Sequence, residues 1–407
     1  MKELTLKQNL LWNTAGCLIY QGCQWLTTIL VVLLSSSYEN SGILAFAMAT
    51  GNVYTGLATY NVRTFQVSDI NNQFSSKNYI GFRIATILIA TVACLAYSFA
   101  VAPSLSTGVA IAAYLLFKAD ESFVNVFYGI DQKAQRMDYI GISQGIRGIM
   151  SIASFCLALI LADDLTVAFV AMFVCCAAVT LLFDIPKSKK IDAIGFDLPR
   201  RICRDLFKLC APSVIAILAY GLVATIARQW FGLQYGEEAL GIYSAVATPC
   251  VLVQVMANYL YNPFLVPIAR SWTSHNSSEL LSQLKKLISG MLAVVAICLV
   301  AALVAGAPVI ELIYGDSIKD YSWMITPAMV AASFMAIDCL LTDLFIVMRK
   351  YLLAALINIA SLISCVILMT PFTSMWYMNG VNIVISVSFA IGVAIGLIGL
   401  AKSRLIR

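Results

Sequence analysis

Again and again this chain runs for some twenty residues almost free of charge before a polar break returns. A soluble core cannot absorb that pattern along all 407 residues. A bilayer demands it, because one helical crossing takes ~20 mostly apolar residues. Hydrophobic residues make up 61% of the chain and charged residues 12%, where a soluble domain has about 25% charged. A transmembrane barrel would alternate with period two over segments of ~10 residues, and these runs do not. The expectation is an all-α polytopic membrane protein.

Twelve spans are expected, near 10–34, 41–61, 79–101, 105–129, 139–161, 165–183, 207–230, 239–265, 287–307, 322–347, 351–370 and 380–400. The connections are short and leave no extramembrane domain. Cytoplasmic loops carry the excess of Lys and Arg in such proteins. With the N-terminus inside, only Lys319 of the 26 Lys and Arg falls in an outer loop, and Lys118, Arg147 and Arg228 fall within spans. All the others, including Arg63, Lys77 and Arg83, fall on the inner side. The outer loops carry Glu39, Asp163, Asp164, Glu237 and Glu238. One span more or fewer would scramble this sorting.

The densest run of cations lies between Pro186 and Lys208: Lys187, Lys189, Lys190, Arg200, Arg201, Arg204 and Lys208. It is expected to be a basic cytoplasmic linker, 186–208, between a six-helix lobe at 1–185 and another at 209–407. An internal echo agrees with that division. SGILAFAMAT at 41–50 opens the second span and ALGIYSAVAT at 239–248 opens the eighth. Six spans per half insert both halves in the same sense. Two lobes related by a pseudo-two-fold axis along the membrane normal follow, with a site at the repeat interface.

The net charge of +5 reflects this sorting of cations and does not imply nucleic-acid binding. The cysteines lie mostly inside spans, where they act as small apolar residues, and no C-x-x-C pair suggests a metal or disulfide framework. No cofactor and no metal site are expected. The N-terminal apolar run, interrupted by Gln21 and Gln24, is expected to be a retained first span. The single His275 lies in a polar inner loop. No Walker A run, H-E-x-x-H or Ser/His/Asp set can be assembled, so the chain is not expected to be an enzyme or an ATP-driven pump.

Charge inside hydrocarbon costs at least ~2.5–3.5 kcal/mol per residue and is by default a functional pointer. In the fourth span Tyr114, Lys118, Glu121, Asn125 and Tyr128 recur at helical spacing on one face, with Asp120 just beside it. Arg147 in the fifth span and Glu121 each sit ~12 Å from the cytoplasmic end at 1.5 Å per residue. Arg147 is therefore expected to meet Glu121 or Asp120, either as a structural pair or as a cavity wall that exchanges partners. Asn13 and Gln24 in the first span, and Gln254 and Asn258 in the eighth, are either interhelical glue or cavity lining. Asp338 and Asp343 in the tenth span are candidates for ion coupling or for pairing with Arg349, Lys350 or a neighbouring lobe. Arg228 stands near the outer end of the seventh span, where its long side chain can snorkel.

Several stretches resemble one family. NLLWNTAGCLIYQG and YNVRTFQVSDINNQFSSKNYIGFR (60–83) are similar to the N-terminal part of the polysaccharide-repeat flippases. These belong to the multidrug/oligosaccharidyl-lipid/polysaccharide exporter superfamily. ARQWFGLQYGEEALGIYSAVATP (227–249) resembles that family's entry into the eighth helix, and RKYLLAALINIASLISCVIL with MNGVNIVISVSFAIG its last helix pair. The resemblance implies a flippase moving undecaprenyl-pyrophosphate-linked oligosaccharide from the inner to the outer leaflet of a bacterial cell membrane by alternating access. Both termini would be cytoplasmic. The glycan carrier and membrane lipids would be its partners, and contact with a polysaccharide polymerase and chain-length proteins stays open. Arginine suits pyrophosphate because its planar fork binds two oxygens at once. Arg147, Lys118, Arg63 and Arg228 are the available cations, and Asn13, Gln24, Gln254 and Asn258 suit sugar hydroxyls. Asp120, Glu121, Asp338 and Asp343 remain for ion coupling or charge pairing. The alternative is a cation-coupled multidrug antiporter of the same superfamily, and a third reading is a scaffold in an export complex.

Overall fold

The computed structural model describes residues 4–36, 38–69, 73–274 and 276–402, and these form helices and short connections with no strand among them. His275 and the terminal cations Lys2, Arg404 and Arg407 lie outside the described residues. The chain divides into two compact units, Met1–Val214 and Ile215–Arg407.

The first unit holds α1 (Leu6–Leu34), α2 (Glu39–Thr59), the short α3 (Val62–Ser68), α4 (Ser76–Val101), α5 (Leu105–Lys133), α6 (Met137–Ala162), α7 (Leu165–Val179) and α8 (Ile185–Ser188), and it ends inside α9 (Arg200–Tyr235). A π-helical turn, Thr180–Asp184, joins α7 to α8. The second unit takes the rest of α9, then α10 (Glu237–Ala247), α11 (Val251–Thr273), α12 (Ser277–Ala301), α13 (Ala307–Tyr314), α14 (Ile325–Val347) and α15 (Tyr351–Lys402). α15 is broken at Tyr377, whose φ of 50° is left-handed, so it covers the last two expected spans. α10 and α11 together cover the eighth.

Among the described residues, helix covers each of the twelve apolar runs read from the sequence. Eight helices among the described residues are long and apolar enough to cross a membrane on length and composition alone. α5 is long enough but carries Lys118, Asp120 and Glu121 at its centre, which makes it the polar wall of its unit.

Local sequence sets the helix ends. Thr5 and Gln8 form a reciprocal capping box at α1, and Ser75 and Asn78 do the same at α4, satisfying backbone donors that a helix start leaves free. The Asn9 side chain accepts from the Met137 amide at 2.9 Å, so α1 caps α6. α1 lies so close along α6 that a Cβ at Gly16 would collide with the Gly141 backbone, and one at Gly141 with the Trp12 carbonyl. Small residues permit that approach in a membrane, where packing rather than hydrophobicity holds helices together.

The polar stretch 189–199 folds back on the first unit. Asn78 Nδ2 donates to the Asp197 carbonyl at 3.0 Å and to its carboxylate at 3.1 Å, and Ser76 Oγ donates to Asp192 at 2.5 Å. Away from these contacts, large apolar side chains such as Leu88, Val92, Leu161, Leu182 and Leu303 stand exposed, as lipid-facing helices require.

Candidate functional site

The stripe read on the fourth span is a polar ladder along α5. At its lower rung Lys118 Nζ meets Glu121 Oε2 at 2.6 Å, one turn away on the same helix. The ammonium also lies 5.5 Å from the Tyr114 ring centre and 5.3 Å from that of Phe117. Further along, Asn125 Oδ1 accepts from Arg83 at 3.2 Å, and Gln132 Oε1 accepts from Arg63 Nε and Nη2 at 3.1 and 2.8 Å. Arg63 also lies over the Tyr128 ring at 5.7 Å. The Tyr128 hydroxyl shares a hydrogen with Ser143 Oγ at 2.7 Å. A helical period of 3.6 residues brings every rung to the same face.

Asp120, beside the stripe, is turned into the unit's interior. Arg147 donates to Asp120 Oδ2 at 2.5 Å, to Thr180 Oγ1 at 2.7 Å and to the Cys176 carbonyl at 3.2 Å. Thr180 Oγ1 in turn donates to Asp120 Oδ1 at 2.7 Å. Arg147 is 1% exposed. Of the two acids that matched it in depth, Asp120 takes Arg147 while Glu121 stays with Lys118. The π turn presents Thr180 at one end and Asp184 at the other. Asp184 is buried with its Oδ2 unpartnered, and nearby Ser188 Oγ donates to Asp131 at 2.9 Å.

Arg83 was counted with the inner-side cations. In the structure it is fully buried near the start of α4 and serves another purpose. Tyr60 and Asn61 adopt left-handed φ of 46° and 49° and end α2. The last turn of α2 leaves the Ala58 carbonyl free, and Arg83 at 2.8 Å and Thr86 at 2.7 Å donate to it. A cation at a helix C-terminus also suits the helix dipole. Arg83 Nε has no partner. No carboxylate among the described residues lies in ion-pair range of Arg63, Arg83 or Arg228. Both charged arginines of this face are therefore held by neutral oxygens alone.

At the polar edge of the same unit, Asp69 anchors the turn into α4. It accepts from the Gln73 and Phe74 amides at 2.9 and 3.0 Å and from the Tyr79 hydroxyl at 3.1 Å. Partial burial pushes its carboxyl up, but these donors and Lys133 outweigh that and hold it below the usual carboxylate range. Beside it opens a cleft of about 660 Å³, lined by Gln66, Lys77, Lys133 and Asp192 among others.

The remaining residues of the first unit are quieter. Gln24 Nε2 donates to Ser151 Oγ at 3.1 Å across α1 and α6, a bond between helices. Asn13 is half-buried on α1.

In the second unit Arg228 lines a cavity of about 20 Å³ with Tyr243, Gln254, Met335 and Asn382. That is room for roughly one water molecule. Arg228 Nε is buried without a hydrogen-bond partner. Tyr243 donates to Asn382 Oδ1 at 2.9 Å, and Gln254 Nε2 approaches Met335 Sδ at 3.4 Å. The Asn258 side chain lies outside the described residues. Asp343 accepts from the Tyr261 hydroxyl at 2.7 Å. Pairing of the α14 acids with Arg349 or Lys350 is not made among the described residues. Lys350 instead lies 4.9 Å over the Trp272 ring. Asp338 is fully buried and neither carboxylate oxygen has a partner.

A family model described as polysaccharide biosynthesis protein matches residues 6–272. The capsular polysaccharide biosynthesis protein CapF of Staphylococcus aureus is 22% identical over 301 residues, covering 74% of each chain. Among solved structures, the inward-facing form of a multidrug resistance MATE family transporter of the MOP superfamily superposes with a TM-score of 0.71 at 13% identity, covering 95% of this chain and 94% of that one. The eukaryotic MATE transporter AtDTX14 gives 0.70 at 13% identity, covering 98% and 96%. A MOP superfamily transporter from Pyrococcus furiosus, described as having a binding pocket of reversed polarity, gives 0.61 at 13% identity over 98% and 97%.

Proposed function

Since this chain belongs to the polysaccharide biosynthesis protein family and has the fold of the MOP superfamily transporters, we propose that it moves a lipid-linked, pyrophosphate-bearing oligosaccharide across a bacterial cell membrane from the inner to the outer leaflet. One observation carries this reading. Arg63, Arg83 and Arg228 lie buried or half-buried with no carboxylate in ion-pair range among the described residues. Buried cations are normally paired, and a chain that leaves three guanidinium groups without a carboxylate favours an anionic cargo.

Arg63 is the leading phosphate contact. Its Nε and Nη2 both converge on Gln132 Oε1, and that fork is the geometry a phosphate takes. Arg228, with its free Nε, is the corresponding contact of the second unit. Arg83 lies deeper and adds positive potential. Lys118 and Arg147 are already neutralised by acids and take a lesser part. Gln24, Asn13, Gln254 and Asn258 supply amides of the kind that hold sugar hydroxyls. Both termini face the cytoplasm in this reading. Residues 1–185 and 209–407 act as the two moving lobes, joined by 186–208. An inside-negative potential favours outward movement of an anion by ~2.3 kcal/mol per charge per 100 mV.

The second reading is cation-coupled antiport of a drug-like cation, which the unpartnered Asp338 favours. Deleting the gene separates the two. Under the proposed function lipid-linked repeat units accumulate on the inner leaflet and surface polysaccharide is lost. Normal surface polysaccharide without accumulation would overturn it.

A further inference from the structure

The stretch 189–199 is an ordered strap whose acids are spent on α4. Asp192 accepts from Ser76 and Asp197 from Asn78, and the Asp197 amide donates to the Lys77 carbonyl at 3.4 Å. The strap also lies close along α4. A Cβ at Gly81 would meet Leu198 Cβ at 3.0 Å and the Asp197 carbonyl oxygen at 3.1 Å, and one at Gly195 would meet the Lys77 side chain at 3.4 Å. Pinned in this way, the strap holds Phe196 outward and 66% exposed. A single exposed apolar side chain is ordinary on a surface. Its height and the charges around it set this one apart.

The height follows from the packing of α9 on α4. Phe207 lies edge-on to Phe82 at 4.7 Å and to Tyr60 at 5.1 Å. α4 and α9 are the third and seventh spans and cross the bilayer in the same sense, so residue 207 marks the level of residue 82. Leu209, two residues further and 46% exposed, is the first strongly exposed apolar side chain of α9. Phe196, held between the levels of Lys77 and Gly81, stands about 7–8 Å short of Leu209 at 1.5 Å per residue. The polar layer on each side of the hydrocarbon is ~5–8 Å thick. Phe196 is therefore at headgroup depth.

Cations surround that depth. Arg204, three residues before Phe207, is level with Phe196. Arg201, Arg204 and Lys208 recur at spacings of three and four on one exposed face of α9, opposite the face that buries Leu206 and Cys210. Lys189, Lys190 and Arg200 are exposed as well. Among the described residues the one carboxylate within ion-pair range of these six is Asp205, 3.9 Å from Arg201, and both side chains of that pair are largely exposed, where such pairs contribute little.

We infer that the strap and the first three turns of α9 bind anionic phospholipid in the leaflet on this face, the inner one by the sorting of loop charges. Phe196 enters between headgroups, as aromatic side chains do at membrane interfaces, and the cations hold lipid phosphates. Basic segments beside a span are drawn to anionic leaflets by the surface potential. An acidic cytoplasmic protein is the poorer occupant, because it would have to displace headgroups to reach Phe196. Any consequence for transport rests on the function proposed above; lipid binding does not.

The test uses the purified full-length chain in nanodiscs of phosphatidylcholine, alone or mixed with phosphatidylglycerol, and no lipid-linked cargo. Its outcome is therefore independent of the flippase reading. Hydrogen exchange of the 189–204 amides is followed, and Phe196→Trp is read by quenching from brominated acyl chains, in excess of the wild-type background. Phosphatidylglycerol should protect the strap and increase quenching of the added tryptophan, and salt should weaken both effects. Arg204→Gln should raise the phosphatidylglycerol needed for half-protection about fivefold. Lys189→Gln, Arg200→Gln, Arg201→Gln and Arg204→Gln together should abolish the response. These side chains are exposed, so Tm in phosphatidylcholine should match wild type. Exchange and quenching that are the same in both lipids overturn the site, as does protection that appears only when cytoplasmic protein is added.

Discussion

Two buried aspartates, Asp120 of the first unit and Asp338 of the second, have opposite surroundings. Asp120 is enclosed by Arg147 and Thr180, which also bond to each other. Asp338 is fully buried with no hydrogen bond to either oxygen and no Lys or Arg in ion-pair range among the described residues. A guanidinium is a cation that cannot leave, so the first unit carries its counter-charge permanently. The second unit holds no such fixed counter-charge beside Asp338 among the described residues. A buried carboxylate can be braced or left alone, and the partner decides which.

The largest effect expected from breaking this contrast is Arg147→Ala. It strands Asp120 as an uncompensated buried charge at a cost of about 3–5 kcal/mol, read as loss of folded protein in the membrane. Arg147→Met combined with Asp120→Leu should recover most of that stability, since replacing a buried pair by apolar groups is often near neutral. If the double variant is no better folded than the single one, Arg147 is more than a strut.

Next in size is Arg63→Gln. A charged hydrogen bond contributes about 1.5–3 kcal/mol, so transport of an anionic cargo should fall roughly ten- to hundred-fold with insertion unchanged. Arg63→Lys should recover only part of it, because an ammonium lacks the fork. Initial rates in reconstituted vesicles check both.

Asp338→Asn acts with the opposite sign from Arg147→Ala. It should raise Tm by a few degrees, because it replaces an unpartnered buried acid with a neutral amide rather than stranding a partner. A Tm below wild type would mean that Asp338 has a partner.

The smallest effect belongs to Asp69, at the polar edge. Its carboxyl is held below its ordinary value, so its contribution is present above the ordinary carboxylate pKa and lost as pH falls through the folded one. Asp69→Ala should lower Tm slightly at pH 7, and the difference from wild type should shrink below about pH 4.

Much of this was legible from the chain itself. The α5 ladder follows from 3.6-residue spacing, and depth alone narrowed the partner of Arg147 to Asp120 or Glu121. Choosing between them needed the facing of α5, since adjacent residues point about 100° apart and only Asp120 turns towards α6 and the π turn. Arg83 was hidden because the rule that sorts loop charges counts a cation wherever it falls near a span end. It could not see that left-handed Tyr60 frees the Ala58 carbonyl for capping. The solitude of Asp338 was hidden by proximity in sequence to Arg349 and Lys350. Those residues lie past the end of α14, about three turns away, and Lys350 is taken by Trp272.

The proposal of an anionic cargo is tested most directly by reconstituting the purified protein in vesicles that carry a fluorescent pyrophosphate-linked oligosaccharide lipid on one leaflet. The account predicts that the headgroup becomes accessible on the opposite leaflet at a rate set by the protein, that an inside-negative potential speeds outward movement, and that Arg63→Gln slows it. Headgroups that stay where they were placed, while the same vesicles accumulate a cationic drug against a sodium gradient, would contradict it.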